Sequence, residues 1–262
     1  MEKKKRSNDR PARGPAQGAV VGRNAVRELL RSGREVDKLL VQRYEGVPNH
    51  AIGDIIDLAK KRGIIVQSVP QVKLDELAGG VPHQGVAAFA AEADYSTLDD
   101  VFTLAEERGE PPFIVICDEL SDPHNLGAVI RSAEGAGAHG VIVPERRSSG
   151  LTQVVSKASA GAVSWIPVVR VSNLTRCVED LQKRGVWIWA AEAGGAPYYE
   201  QDLTGPCAIV LGSEGTGVSR LLREKCDFTV SIPMYGRVDS FNVSAAATVI
   251  LCEAARQRHS DR

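Results

Sequence analysis

The chain has few aromatic residues and no long apolar run. Aromatic side chains make up 5% of its 262 residues, and no apolar stretch approaches the roughly 18 residues that cross a bilayer. The first letters, MEKKKRSNDRPARG, also lack the apolar stretch of a secretory signal. These absences argue against a membrane protein and predict a cytoplasmic one.

Cysteine pairs and metal-ligand clusters are missing as well. The five cysteines, at positions 117, 177, 207, 226 and 252, lie far apart and form no C-x-x-C pair. The five histidines do not cluster at the spacing of metal ligands. We therefore expect reduced thiols in an intracellular protein, and no metal site. No G-x-S-x-G nucleophile motif occurs, which argues against a hydrolase of that type.

Charge is distributed unevenly, although the net charge is only −1. Residues 1–73 carry 16 lysines and arginines against 8 acidic residues, whereas residues 74–110 carry 9 acidic residues against one arginine. A positive excess in the amino-terminal part suggests binding to a polyanion. The alternative is that a cluster such as Lys60, Lys61 and Arg62 is simply the solvated end of a helix. Residues 1–17 have no hydrophobic periodicity and are expected to form a disordered basic arm.

Hydrophobic periodicity predicts two α/β domains. Residues 18–92 alternate amphipathic helices with short strands, as a small α/β domain does. The acidic stretch 93–111, which ends in two prolines, fits a linker with one short helix. In residues 112–262, helical patterns alternate with five continuous apolar runs, at 113–118, 140–144, 165–169, 186–191 and 208–212. Such runs are typical of a mostly parallel sheet covered by helices on both faces.

The string GAGAHG at 135–140 matches the G-x-G-x-x-G dinucleotide fingerprint, but its context does not. The fingerprint binds a pyrophosphate only when it follows a strand and opens a helix. Here the glycines follow a helical pattern and precede the predicted strand 140–144. We interpret them as the end of a helix, with glycine in the left-handed conformation. A nicotinamide-dependent oxidoreductase is therefore disfavoured.

Two further segments hold polar residues beside buried elements. In DPHNLGAVIRSAEGAG, residues 122–137, Asn125 is placed to cap a helix. Arg131 lies on the same, otherwise apolar helix, where it must reach solvent or meet an anion. In LGSEGTGVS, residues 211–219, a buried strand runs into a glycine-rich turn whose backbone can approach a ligand closely. This turn lacks the lysine of a phosphate-binding NTPase loop.

The last segment, IPMYGRVDSFNVSAAATVILCEAARQ at 232–257, sets a polar cluster against a long apolar helix. The cluster contains Asp239, Ser240 and Asn242. Buried polar groups need partners, because leaving one unpaired costs about 1–3 kcal/mol. We expect a bound ligand to be that partner, so the functional site is predicted at this end of the chain.

Taken in order, NLGAVIRSAEGAG, LGSEGTGVS and IPMYGRVDSFNVSAAATVILCEA resemble the three motifs of the SpoU, or TrmH, family of RNA ribose 2′-O-methyltransferases, which belongs to the SPOUT class. The resemblance spans residues 113–257. In the amino-terminal part, GRNAVRELL at 22–30 and HQGVAA at 83–88 resemble the substrate-binding domain of bacterial large-subunit rRNA guanosine 2′-O-methyltransferases. The implied reaction is S-adenosylmethionine-dependent methylation of a ribose 2′-hydroxyl, with a guanosine of 23S rRNA as the expected target.

The resemblance also implies an architecture and a site. The carboxy-terminal domain would contain a parallel sheet with a deep trefoil knot, and the small amino-terminal α/β domain would bind RNA. The protein would be a homodimer in which each active site takes residues from both subunits. Residues implied to bind the cofactor are Leu211, Gly212, Gly217, Ile232, Met234 and Phe241. Residues implied to act in catalysis are Arg131, Asn125, Glu214, Ser240 and Asn242.

Some alternatives stay open. Arg131 is the residue that the resemblance assigns to activation of the hydroxyl, yet a guanidinium normally stays protonated. It could instead bind the adjacent phosphate and so orient the ribose. For the whole protein the alternatives are a tRNA ribose methyltransferase and a noncatalytic RNA-binding factor in ribosome assembly. The joint presence of Arg131, Glu214, Ser240 and Asn242 argues against the noncatalytic alternative.

Overall fold

The computed structural model describes residues 15–16, 18–32, 35–43, 52–90 and 93–260. The chain divides into two compact units, Met1–Ala91 and Glu92–Arg262. The predicted basic arm, residues 1–17, lies outside the described residues except for positions 15 and 16. Each unit is built from alternating strands and helices, as the periodicity predicts.

In its described residues, the first unit is a four-stranded sheet with three helices. Its strands are β1 (Ala19–Val21), β2 (Val36–Gln42), β3 (Ile65–Val69) and β4 (Val86–Ala90). Its helices are α1 (Arg23–Arg31), α2 (Gly53–Lys61) and α3 (Gln71–Ala78). The spatial order is β1-β4-β2-β3, in which only β2 and β3 pair in parallel.

Strand β2 shows why both faces of this sheet are covered. Successive side chains of a strand point to opposite faces. Leu39 and Val41 therefore pack in one core with α1 and α2, whereas Leu40 packs in a second core with Leu74 of α3.

The second unit contains a six-stranded sheet. Its strands are β5 (Phe113–Cys117), β6 (Gly140–Pro144), β7 (Val168–Val171), β8 (Trp187–Pro197), β9 (Cys207–Leu211) and β10 (Phe228–Ser231). Its helices are α4 (Leu98–Arg108), α5 (Pro123–Gly135), α6 (Gln153–Ala158), α7 (Leu174–Lys183), α8 (Arg220–Arg223) and α9 (Val243–Arg258). The order is β10-β8-β9-β5-β6-β7, and every neighbouring pair is parallel. The parallel sheet expected from the apolar runs is confirmed.

Helices cover this sheet on both faces. Ile114 and Ile116 of β5 pack in one core with α4, α7 and α8. The alternate residues of β5 point to the other face, and there α5 contacts both α6 and α9. Gly127 permits the close approach of α5 and α6, because a Cβ at this position would lie 2.5 Å from the Cβ of Ala158.

The segment 93–111, which its composition predicts as a linker, belongs to the second unit. Thr97 begins helix α4 with a capping box: its side chain accepts the N–H of Asp100, and the Asp100 carboxylate accepts the N–H of Thr97 at 2.7 Å. Val101 and Ala105 are fully buried. The one short helix expected in this segment is therefore present, and it packs within the second unit with its acidic residues on the exposed face.

Other differences concern strand positions. The strand expected at 165–169 begins only at Val168, because a 3-10 helix, Ala162–Ser164, precedes it and Trp165 is 76% exposed. The edge strands β1 and β10 were not expected. In contrast, GAGAHG does end helix α5 and lead into β6, with Gly137 in the left-handed conformation (φ 78°).

Three simple properties of the structure bear on function. All five cysteines are free. No described helix combines the length and the apolarity needed to cross a membrane. Within the described ranges, no three side chains of histidine, cysteine, aspartate or glutamate come together as metal ligands would.

Candidate active site

A cavity of about 650 Å³ opens beside the middle of β8 and the ends of β9 and β10. Ligands of parallel α/β sheets bind at this edge. The wall is formed by the middle of β8, the glycine-rich turn after β9, the segment after β10 and the first turns of α9. It includes all six residues expected to bind a cofactor, namely Leu211, Gly212, Gly217, Ile232, Met234 and Phe241.

The glycine-rich turn after β9 folds back tightly on itself. Ser213 and Gly217 exchange two backbone hydrogen bonds, of 3.1 and 3.0 Å. Gly215 and Gly217 have φ of +92° and +66°, a region that glycine adopts without strain. A Cβ on Gly212 would overlap the backbone of Gly217 and Val218. The turn therefore requires its glycines, and it presents backbone rather than side chains to much of the cavity.

Three polar side chains from distant parts of the chain meet beside this turn. Oε1 of Glu214 accepts hydrogen bonds from Nδ2 of Asn125 at 3.0 Å and from Nδ2 of Asn242 at 2.5 Å. Nδ2 of Asn242 also donates to Oδ1 of Asn125 at 3.1 Å. We call these three residues the amide–carboxylate network. It joins helix α5, the glycine-rich turn and the start of α9, and it holds the Glu214 carboxylate at the cavity wall.

The two asparagines of the network have different second roles. Asn242 caps α9, because its Oδ1 accepts the N–H of Ser244 at 2.9 Å. Asn125 was expected to cap α5, and that expectation is wrong. Helix α5 begins at Pro123, and its cap is Asp122, which accepts the N–H of His124 at 2.9 Å. Asn125 lies inside the helix and is buried, so its amide is free to bind Glu214.

Ser240 and Arg131 lie differently with respect to the cavity. Ser240 is on the wall and its hydroxyl donates to Oδ1 of Asp239 at 3.2 Å. Arg131 is exposed on α5 and is not a wall residue. We find no hydrogen bond or ion pair of its guanidinium with the part of the chain that the structure describes. A single chain thus brings together the network, Ser240 and the six expected cofactor residues, but not Arg131.

Sequence reasoning missed two acidic residues that shape this region. Glu192, on the wall at the end of the buried part of β8, lies 3.6 Å from the guanidinium of Arg223. Asp118 is buried beyond β5, where its carboxylate accepts the N–H of Ser219 at 2.7 Å. The N–H of Asp118 donates to the carbonyl of Leu211 at 2.8 Å, so this residue holds both ends of the glycine-rich turn. In each case the available signal was an acidic residue directly after an apolar run.

The sequence model of the SpoU rRNA methylase family matches residues 112–252, and that of the RNA 2′-O ribose methyltransferase substrate-binding domain matches residues 19–96. The chain belongs to the SpoU family of RNA methyltransferases. The family expected from the three motifs, and with it an enzyme of RNA ribose 2′-O-methylation, is therefore confirmed.

Relatives of this SpoU protein agree with the family match. The chain is 46% identical over 241 residues to YacO of Bacillus subtilis, assigned to the TrmH family of tRNA/rRNA methyltransferases, with 92% of this chain and 96% of YacO covered. The structure of the SpoU methyltransferase AviRb from Streptomyces viridochromogenes, in complex with S-adenosylmethionine, matches with a TM-score of 0.59 and 28% identity over 92% of this chain and 90% of AviRb. The structure of an S-adenosylmethionine-bound rRNA methyltransferase from Sinorhizobium meliloti matches with a TM-score of 0.56 and 25% identity. The match covers 91% of this chain and 86% of that protein's chain.

Proposed function

We propose that this protein transfers a methyl group from S-adenosylmethionine to the ribose 2′-hydroxyl of a guanosine in large-subunit rRNA. The observation that carries the proposal is the cavity beside β9, with the amide–carboxylate network on its rim. Both solved relatives described above are complexes with this cofactor.

The residues of the cavity fit S-adenosylmethionine. The volume of about 650 Å³ lies within the range of roughly 300–1,000 Å³ that is usual for small-molecule sites. Leu211, Ile232 and Phe241 offer apolar surface for the adenine ring, and the glycine-rich turn offers backbone groups for the polar atoms. When bound, the cofactor would supply a methyl group on a sulfonium, from which a neutral thioether is a good leaving group. The chain's own task is therefore to orient the ribose hydroxyl and to relieve it of its proton.

The network and Arg131 divide this task. Asn125 and Asn242 hold the Glu214 carboxylate at the rim of the cavity, where the hydroxyl must approach and where this carboxylate is the group that accepts its proton. Arg131 binds the neighbouring phosphate, because an exposed guanidinium is suited to bidentate phosphate contacts and poorly suited to accept a proton. We expect Arg131→Ala to abolish methyl transfer without changing cofactor affinity. The matched control is Arg176→Ala, because Arg176 is an exposed arginine on α7. This variant should keep both the methyl-transfer activity and the cofactor affinity of the wild type.

The functional unit is a homodimer that completes each site with residues of both subunits. Tyr235, Val238 and Phe241 are 91%, 68% and 50% exposed around the cavity, an apolar surface that a partner subunit would cover. Arg131 is absent from the cavity wall of its own chain. Both observations support a second copy that brings Arg131 to the cavity.

Mixing two inactive variants tests this arrangement. We expect Arg131→Ala and Glu214→Ala each to lose activity. When they are mixed and allowed to exchange subunits, half of the dimers are mixed, and one of their two sites contains neither substitution. About a quarter of the wild-type activity should return. If dimers form but no activity returns, Arg131 acts in its own chain; monomers in light scattering contradict the dimer itself.

Large-subunit rRNA is favoured over tRNA as the substrate. The rRNA methyltransferase from Sinorhizobium meliloti matches over 91% of this chain, and so spans both units. Methyl transfer to unmodified 23S rRNA and to bulk tRNA, compared under the same conditions, tests the choice. We expect kcat/KM to favour rRNA by at least tenfold, whereas the opposite preference would make the protein a tRNA methyltransferase.

The carboxy-terminal segment forms a trefoil knot. After β10 at one edge of the sheet, the chain lines one cavity with the middle of β8 and the turn after β9, and then enters α9, which packs on α5. At the other end of α9, Arg258 donates to the carbonyls of Pro111 and Leu203, at 2.8 and 3.0 Å. Pulling a single molecule by residues 113 and 258 tests the knot. The stretched chain should fall short of its full contour length, whereas an unknotted chain reaches it.

A further inference from the structure

A second cavity, of about 630 Å³, lies within the first unit. We call it the amino-terminal cavity. It is bounded by the start of α1, the end of β2, the end of α3 and the connection between α3 and β4. The polar side chains on its wall are those of Arg23, Gln42, Asp75, His83 and Gln84.

The connection between α3 and β4 places Gln84 in an unusual conformation. Gln84 has φ of 52°, in the left-handed region that residues with a Cβ adopt rarely. Its side chain stabilises the turn, because Oε1 accepts the backbone N–H of Arg23, the first residue of α1, at 3.0 Å. Since Oε1 is engaged in this way, the amide NH₂ of Gln84 is left to donate elsewhere.

His83 and Asp75 form a rigid part of the wall. The His83 side chain is only 11% exposed, and its Nδ1 accepts the N–H of Gly85 at 3.0 Å. The ring proton must then lie on Nε2, which donates to Oδ1 of Asp75 at 3.1 Å. Both ring nitrogens of His83 are therefore used within the wall, and Asp75 already has a donor.

Two hydrogen-bond donors on this wall have no such partner. Among the residues that the structure describes, we find none that binds the guanidinium of Arg23 or the amide NH₂ of Gln84. A guanidinium suits a phosphate, and a side-chain amide suits the oxygen and nitrogen acceptors on the edge of a base. RNA-binding proteins read sequence mainly from unpaired bases that leave the stack.

We propose that the amino-terminal cavity binds one unpaired nucleotide of the substrate RNA, other than the nucleotide that is methylated. Arg23 binds its phosphate, Gln84 donates to the edge of its base, and the His83–Asp75 pair keeps the wall in place. The inference rests on the proposed function only in that the substrate is RNA. It assigns to this cavity a share of target recognition that is separate from methyl transfer.

The test uses the full-length protein and an unmodified transcript of large-subunit rRNA. Arg23→Ala should weaken RNA binding about tenfold at low salt. The association constant for RNA falls as salt rises, and the slope of its logarithm against the logarithm of the salt concentration should become shallower by about 0.7–0.9. This is the contribution of one phosphate contact. The matched control is Arg31→Ala, at the other end of α1, whose guanidinium lies 3.7 Å from Glu28 rather than on the cavity wall. The control should change affinity by less than about twofold.

A second variant separates base reading from folding of the turn. Gln84→Glu keeps an oxygen that can accept the N–H of Arg23 but removes the amide donors. It should raise KM for RNA while leaving kcat and the affinity for S-adenosylmethionine unchanged. The proposal is overturned if Arg23→Ala binds RNA as Arg31→Ala does, or if Gln84→Glu has the KM of the wild type.

The variants are also compared with the wild type on bulk tRNA. The test of the amino-terminal cavity then remains valid even if the substrate is tRNA rather than large-subunit rRNA. If the variants are impaired on tRNA alone, the cavity proposal holds and the rRNA target is wrong. Wild-type protein that binds neither RNA overturns both proposals.

Discussion

Replacement of Asn242 by alanine should separate the two tasks of this residue. Asn242 caps helix α9 through Oδ1 and binds Glu214 and Asn125 through Nδ2. Loss of an asparagine cap costs about 1 kcal/mol of unfolding free energy. For a unit of this size that corresponds to a fall of about 2–4 °C in Tm.

The loss of Nδ2 should weaken cofactor binding at the proposed site. Hydrogen bonds to charged groups contribute about 1.5–3 kcal/mol, and the exposure of Glu214 and Asn242 favours the lower figure. Without this bond the glycine-rich turn is less well held, and cofactor binding must restore its order. We therefore expect the Kd for S-adenosylmethionine to rise about tenfold.

Asn173→Ala is the matched control. Asn173 caps α7 in the same way, since its Oδ1 accepts the N–H of Arg176 at 3.0 Å, but it does not line the cavity. Both variants should lose similar stability in calorimetric unfolding, whereas only Asn242→Ala should lose cofactor affinity in titration calorimetry. Equal cofactor affinity in the two variants would refute the role of the amide–carboxylate network.

Four further outcomes are expected. Gly212→Ala should abolish cofactor binding, because its Cβ would overlap the backbone of the glycine-rich turn, and normal binding in calorimetry would contradict this. In the native protein at pH 8, a thiol reagent should label the exposed Cys252 rapidly and Cys117 only on unfolding, since burial raises the pKa of the Cys117 thiol to about 12. Hydrogen bonds from Arg256 and Gln257 lower the pKa of Glu253 from 4.5 to about 2. The stability that this carboxylate provides is therefore present above pH 4.5 and is lost as the pH falls towards 2. Between these pH values, the free energy of unfolding should depend less on pH in Glu253→Gln than in the wild type. Deletion of residues 1–17, with their six lysines and arginines, should flatten the salt dependence of RNA affinity, and an unchanged slope would show that they do not contact RNA.

The parts of the site that lie within short segments were predictable from the sequence. Gly212 and Gly217 stand in a turn directly after a buried strand, and Ile232, Met234 and Phe241 belong to one contiguous segment. The family resemblance rests on these short motifs, so it names the five residues before any fold is known, and the structure places all five on the wall of one cavity.

Contacts between distant segments were not predictable in the same way. Asn125 meets Glu214 only because β5 and β9 are neighbours in the sheet, and no local pattern specifies that pairing. A helix cap was the simplest local role for Asn125, yet Asp122 and Pro123 take the start of the helix instead.

The acidic stretch 93–111 was predicted as a linker with one short helix, and the helix is present. Its composition did not indicate that the helix is packed, whereas Val101 and Ala105, four residues apart behind Thr97 and Asp100, are buried. Strand β10 escaped prediction for a different reason. It is a four-residue edge strand with two exposed positions, and so it lacks a continuous apolar run.

The most direct test of the whole account is the position of the transferred methyl group. Purified protein is incubated with labelled S-adenosylmethionine and 23S rRNA that lacks the modification, and the RNA is then digested to nucleosides. The label should appear in 2′-O-methylguanosine. Label on a base, or no transfer to rRNA by protein that binds the cofactor, would contradict this expectation.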